Sequence, residues 1–246
     1  MVESFGKPFL TAEWRFLAML NYEIDPAILR RFVPRGTELD SWNGKTFVSM
    51  VGFLFLNTRV MGIAIPFHEN FEEINLRFYV RRKADDGWRR GVVFIKEIVP
   101  RAAIAWVARW LYNENYVALP TGHALVRSLD DQKNIESAKY FWTFQRRRQF
   151  LEVVTDGMAR HFLEGSEEEF IAQHYWGYAA QRNGGTVEYR VDHPVWRIWQ
   201  ARRARLDCDV EKLYGKEFAQ ILRGKPSSAF LAEGSEVTVY RGVKIS

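Results

Sequence analysis

In the stretch FEEINLRFYVRR (residues 71–82) apolar and polar positions separate with a period of two. Ile74, Leu76, Phe78 and Val80 fall on one face; Glu73, Asn75, Arg77 and Tyr79 fall on the other. That alternation predicts a β-strand, and its polar face looks either at water or at a ligand. The same reading extends along the chain. WRFLAMLNY (14–22) is strand-like, and Asp25 and Pro26 follow as the cap and first position of a short helix, AILRRFV. Strands are predicted over 38–42 and 45–57, joined at Asn43-Gly44, a hairpin signal. The 71–82 strand turns at ADDG and returns as RGVVFIKEIV, a second hairpin.

Past Pro100 the period changes. Ile104, Val107, Ala108 and Leu111 recur at helical spacing, which predicts a helix from Arg101 to about Asn113. Strands return over 140–145 and 149–155. SEEEFIAQ opens with Ser166 as cap and Glu169 three residues on, a capping box. HYWGYAAQ, GTVEYRV and VWRIWQARRARL follow as strands, with a turn at Asn183-Gly184-Gly185. A helix over 210–222 precedes two last strands, SSAFLA and VTVYRG. Strands that follow one another directly favour an α+β fold, a predominantly antiparallel, curved or barrel-like sheet with a few short helices. No linker, repeat or low-complexity tract interrupts the pattern, so one domain spanning residues 1–246 is expected.

Composition narrows the class. The chain has 246 residues, 47% hydrophobic and 26% charged, enough for a sizeable core and too charged for a membrane-spanning protein. Its longest apolar runs, such as AAIAWVA, are far short of a bilayer span. MVESFGKPFL shows no basic segment followed by a long apolar one, so a soluble, cytoplasmic protein without membrane partners is expected. Cys208 is the only cysteine, which excludes an internal disulfide and a multi-cysteine metal site. Net charge is +5 and arginine far outnumbers lysine, which suits carboxylate or phosphate recognition. The clusters RRR (146–148) and ARRAR (201–205) lie on strand-like segments and read as solvated edges. No nucleic-acid-binding motif accompanies them, so nucleic acid is not the expected partner.

The sequence contains no G-x-S-x-G elbow, P-loop, G-x-G-x-x-G after a strand, or H-E-x-x-H. HENFEE brings His68, Glu69, Glu72 and Glu73 close together, but the spacing matches no familiar ligand pattern, and no metal or cofactor is expected. Lys96 shares a strand face with Val92, Phe94 and Ile98 by alternation. Desolvation there would lower its pKa and prepare it for imine chemistry, against the plainer outcome of an amine that reaches the surface. His123, His174 and His193 have aromatic or turn-rich neighbours and no adjacent nucleophile, and they read as structural.

The order of INLRFYV with its preceding Glu73, AR-W-LYNENYVALP, HYWGY, VDHPVW and PSSAFLAEGSEVTVY resembles the YqjF-like family, bacterial proteins of unknown function. That family in turn is similar to acetoacetate decarboxylase, through WRFLAMLNYEIDPAILRRFVPRGTELD. The resemblance implies a curved, barrel-like sheet around a polar pocket. It places the decarboxylase's pocket arginine on Arg15 and one of its glutamates near Val48 or Ser49. It also places Arg101 and Ala102 where the enzyme has its lysine pair. Arginine cannot attack a carbonyl as an amine does, so Schiff-base decarboxylation is not expected. The resulting expectation is a pocket formed by Arg15, Glu73, Asn75, Arg77 and Lys96 that binds a small anionic or carbonyl-bearing molecule. A decarboxylase or aldolase-like enzyme using Lys96, and a nucleic-acid-binding accessory protein, remain as alternatives.

Overall fold

The structure is a computed structural model that describes residues 8–100 and 115–245. The helix expected over 101–113, with Arg101 and Ala102, lies outside the described residues. In chain order the first strands are β1 (Pro8–Ile24), β2 (Glu38–Leu39), β3 (Thr46–Val60), β4 (Ile63–Ala64) and β5 (Phe71–Ala84). Next come β6 (Gly87–Val99), β7 (Tyr116–Ala118), β8 (Thr121–Arg127), β9 (Ile135–Phe144) and β10 (Arg147–His161). The last are β11 (Trp176–Ala180), β12 (Thr186–Asp192), β13 (Arg197–Asp207), β14 (Ser228–Tyr240) and β15 (Val243–Ile245). The short helices are α1 (Pro26–Leu29), α2 (Glu167–Ala172), α3 (Val210–Tyr214) and α4 (Lys216–Arg223).

The central strands close on themselves. The path runs β14-β1-β3-β5-β6-β11-β12, and β12 returns to β14 through the pairs Val191–Val239 and Asp192–Thr238. Only the β6–β11 step of that ring is parallel. From β14 the sheet also continues through β13, β10 and β9 to β8, and this second layer packs on the outside of the ring. Ile74, Leu76, Phe78 and Val80 face that layer, meeting Tyr140, Trp142, Leu151 and Trp199, with Leu213 and Phe218 of the helices. The apolar face of β5 is therefore its outer face, and Glu73, Asn75, Arg77 and Tyr79 point into the ring.

Local chemistry explains most boundaries. Asp25 caps α1 by accepting from the Ala27 backbone N–H at 2.8 Å, and Ser166 caps α2 through the Glu169 N–H at 3.2 Å. The helix expected over 210–222 is broken at Gly215, whose φ of 112° no helix accommodates. Segment 38–42 does not form a ladder with β3. Trp42 and Lys45 make an isolated bridge across Asn43-Gly44, and β2 pairs with β5 instead. The two strands expected near the end are one, β14, which runs through Gly234 in a left-handed conformation (φ 78°). Among the described residues no helix is long and apolar enough to cross a membrane.

Candidate functional site

The ring encloses a cavity of about 380 Å³. Its walls are largely aromatic: Trp14 of β1, Phe53 and Phe55 of β3, Phe71 of β5 and Phe94 of β6 all line it. Trp14 meets Phe53 edge-on at 5.6 Å, and Phe55 stacks on Phe71 at 4.7 Å, so this wall is held by its own ring contacts.

Against that wall runs a polar stripe. Glu73, Asn75 and Arg77 line the cavity at relative exposures of 3%, 1% and 9%. Alternation along β5 sends all of them inward, two residues apart. Asn75 Nδ2 donates to Glu73 Oε1 at 3.0 Å. The Arg77 guanidinium donates through Nη2 to the Ile171 carbonyl at 3.3 Å and approaches the Met19 sulfur at 3.8 Å. It also lies 5.7 Å from the Tyr79 ring centroid. Arg77 forms no ion pair among the described residues, and its Nε is buried without a hydrogen-bond partner there. Asn75 Oδ1 is likewise buried and unpartnered among the described residues.

His174 completes this end of the cavity. It follows α2, is 7% exposed, and packs its ring 4.7 Å from that of Tyr79. Burial, and then the charges of Arg90 and Arg77, hold it well below the usual histidine pKa, so it is neutral at physiological pH. Arg90 itself is paired with Asp40 at 2.6 Å. His193 also lines the cavity, stacked on Trp196 at 4.2 Å and on Tyr175 at 4.8 Å, and burial lowers its pKa. Both histidines had read as purely structural. No periodicity marks them, because each stands beside a strand rather than within one.

Arg15 and Lys96 lie outside the cavity, against expectation. Trp14 points inward, so alternation turns Arg15 outward, where it pairs with Glu13 at 2.7 Å and donates to the Gly234 carbonyl at 3.3 Å. A bulge follows at Phe16, whose φ is 54°, and returns Leu17 to the cavity. Lys96 is displaced by a second bulge. Leu76 pairs with Lys96 but Arg77 pairs with Phe94, so Ile95 is the extra residue and inverts the alternation of β6 beyond it. Lys96 thereby faces the helices, donating to the Leu213 carbonyl, and burial lowers its pKa. The same inversion brings Glu97, 1% exposed and opposite Asn75, into the cavity. Unbroken alternation from Val92 and Phe94 would leave Glu97 on the opposite face.

The remaining candidates disperse. Ser49 is buried and does not line the cavity, donating to Asn21 Oδ1 at 2.7 Å and lying 2.6 Å from the Tyr79 hydroxyl. Of HENFEE, His68 lines the cavity, Glu73 points inward and Glu72 outward. The arginines of both clusters are exposed, at the start of β10 and along β13. Arg148 stacks on Phe141 at 3.5 Å and Arg205 lies 5.7 Å from Phe150. Glu72 accepts from Thr121 at 2.8 Å and lies 2.6 Å from His123 Nδ1, tying β8 to β5. Burial alone would raise the Glu72 pKa, but the hydrogen bonds from His123 and Thr121 win and lower it below 4.5. A lowered carboxylate pKa gives stability that is present above the unfolded value and lost as pH falls through the folded one. Urea midpoints measured from about pH 6 down to about pH 3 should therefore fall more steeply for the wild type than for Glu72→Gln. Parallel curves would mean that this contact contributes nothing.

Residues 11–236 match DUF2071, a family of uncharacterized conserved proteins. The uncharacterized protein YqjF of Bacillus subtilis (strain 168) is 37% identical over 75 residues, which is 30% of this chain and 31% of that one. The match thus spans about a third of the length of the curated relative. Among solved structures, acetoacetate decarboxylase from Legionella pneumophila superposes with a TM-score of 0.66 at 11% identity, covering 100% of this chain and 90% of that one. The enduracididine biosynthesis enzyme MppR complexed with pyruvate gives 0.67 at 13%, covering 100% and 93%. An acetoacetate decarboxylase-like enzyme from Sphingomonas wittichii RW1 gives 0.65 at 12%, covering 99% and 95%. At such identities the likeness is one of fold: this is an acetoacetate decarboxylase-like α+β architecture.

Proposed function

The chain belongs to the DUF2071 family of uncharacterized conserved proteins, and on that premise we propose that its barrel cavity binds a small anionic or carbonyl-bearing molecule through Arg77, without forming an imine. The observation that carries this reading is a guanidinium buried in the cavity wall with no carboxylate paired to it among the described residues. A buried guanidinium without an ion-pair partner is costly, and a bound anion in direct contact lowers that cost. Arginine offers an anion paired N–H donors in a fixed plane, and Arg77 Nε still has its donor to give. Neutral His174 beside it adds a polar group without repelling or attracting a second charge. MppR, of the same fold, is described as complexed with pyruvate, a small carbonyl-bearing anion of the class proposed here.

Imine chemistry would need a lysine in the cavity. Among the described residues no lysine lines the cavity, and Lys96 faces the opposite side of the sheet. Treatment with acetoacetate and borohydride should leave the intact mass without a stoichiometric adduct. An adduct that disappears in Lys96→Ala would restore the decarboxylase or aldolase-like alternative. The binding reading itself is tested by heating the protein with small carboxylates. Millimolar acetate or pyruvate should raise the unfolding midpoint relative to chloride at equal ionic strength, because a ligand that binds only the folded state stabilises it by mass action. Equal midpoints across a panel of carboxylates of increasing size would sink it.

A further inference from the structure

We infer that the cavity selects a carboxylic acid carrying a hydroxyl group near the carboxylate and a bulky apolar, preferably aromatic, body, in place of a short-chain keto acid. This deepens the proposed function and rests on Arg77 as the carboxylate's partner.

The hydroxyl follows from the orientation of Asn75. Its Nδ2 donates to Glu73 Oε1 at 3.0 Å, and this contact sets which end of the amide faces which way. That leaves Oδ1 as a buried acceptor with no partner among the described residues. An acceptor needs a donor. A keto oxygen is another acceptor and would bury Oδ1 unpaired, whereas a hydroxyl satisfies it. Asn75 and Arg77 share a face of β5 two residues apart, about 7 Å between Cα atoms, so one small molecule can meet both. A hydroxyl carried near the carboxylate can then meet Oδ1 while the carboxylate meets Arg77.

The apolar body follows from size and lining. A cavity of about 380 Å³ falls in the range that holds drug-sized ligands, about 300–1,000 Å³. A short keto acid would occupy the polar stripe and leave the wall of Trp14, Phe53, Phe55 and Phe71 uncovered. The gain from removing apolar surface from water grows with the area covered, so a ligand that also reaches that wall binds more tightly. Their ring contacts already fix these side chains in place, which lowers the entropy lost on binding.

The test is a calorimetric titration of the full-length wild type with 3-phenyllactate, 3-phenylpropionate, lactate and pyruvate. Phenyllactate is expected to bind at least about tenfold more tightly than each of the others, since phenylpropionate lacks the donor, lactate lacks the ring and pyruvate lacks both. Asn75→Leu should remove the preference for phenyllactate over phenylpropionate while phenylpropionate still binds. If all of these acids bind alike and Arg77→Met abolishes binding, the hydroxy-acid inference is overturned and the anion-binding reading survives. If none binds, or Arg77→Met changes nothing, both fall.

Discussion

Arg77→Met should abolish carboxylate binding and leave the empty protein about 1 kcal/mol more stable than the wild type. The two effects have one cause. Arg77 is 9% exposed, donates through Nη2 at 3.3 Å to a carbonyl, and leaves Nε unsatisfied among the described residues. Methionine fills a similar volume without a charge or a donor to desolvate, and it can pack on Met19 and Tyr79, which already surround the arginine. The binding loss is larger, because a carboxylate in the variant would be buried against apolar groups. A loss of at least about a hundredfold in affinity is expected. Urea denaturation of the empty proteins and titration with 3-phenyllactate or pyruvate measure the two halves separately. A variant destabilised by more than about 2 kcal/mol would mark Arg77 as a structural strut and remove the main support for a ligand there.

That arginine was visible in the sequence, and the reason bears on what was not. Period-two alternation in β5 assigns Glu73, Asn75 and Arg77 to one face with purely local information. It does not say which face is the inside. That depends on ring closure, in which β14 pairs with β1 (Ala232 with Leu17) and β12 pairs with β14 (Val191 with Val239), contacts that no local window contains. Bulges defeat alternation outright. The extra residue at Ile95 moves Lys96 out of the cavity and Glu97 into it, and nothing in VVFIKEIV announces that slip. Arg15 entered by family resemblance, and the inward turn of Trp14 with the left-handed Phe16 beside it decides otherwise. His174 reaches the cavity because, just past the end of α2 at Ala172, its ring packs on Tyr79 and on Phe170 of α2, a packing contact rather than a pattern. The aromatic wall was legible as apolar strand, but not as lining. A side chain that faces a cavity and one that faces a core obey the same alternation.

Gly234→Ala should destabilise the protein by about 3 kcal/mol or more, far beyond the same change at Gly44. Both glycines have φ of 78°, so alanine at either must enter the left-handed region at a cost of roughly 1–2 kcal/mol. The surroundings differ. A Cβ at Gly44 meets nothing within 4 Å, whereas one at Gly234 would stand 1.9 Å from the Trp14 carbonyl oxygen. That oxygen is backbone of the paired strand and cannot swing aside as a side chain could. Gly234 pairs with Arg15 and Ser235 with Trp14, so relief must come by parting β14 from β1 where the ring closes around the cavity. The Ser235 hydroxyl, which accepts from Trp196 Nε1 at 2.8 Å, would move with it. Two cavity-lining tryptophans are thus tied to one missing methyl group. Urea denaturation of the two variants side by side isolates the close contact from the backbone cost. Equal losses would mean that β1 and β14 are not in tight register at this point, and the wall built on Trp14 would lose its anchor.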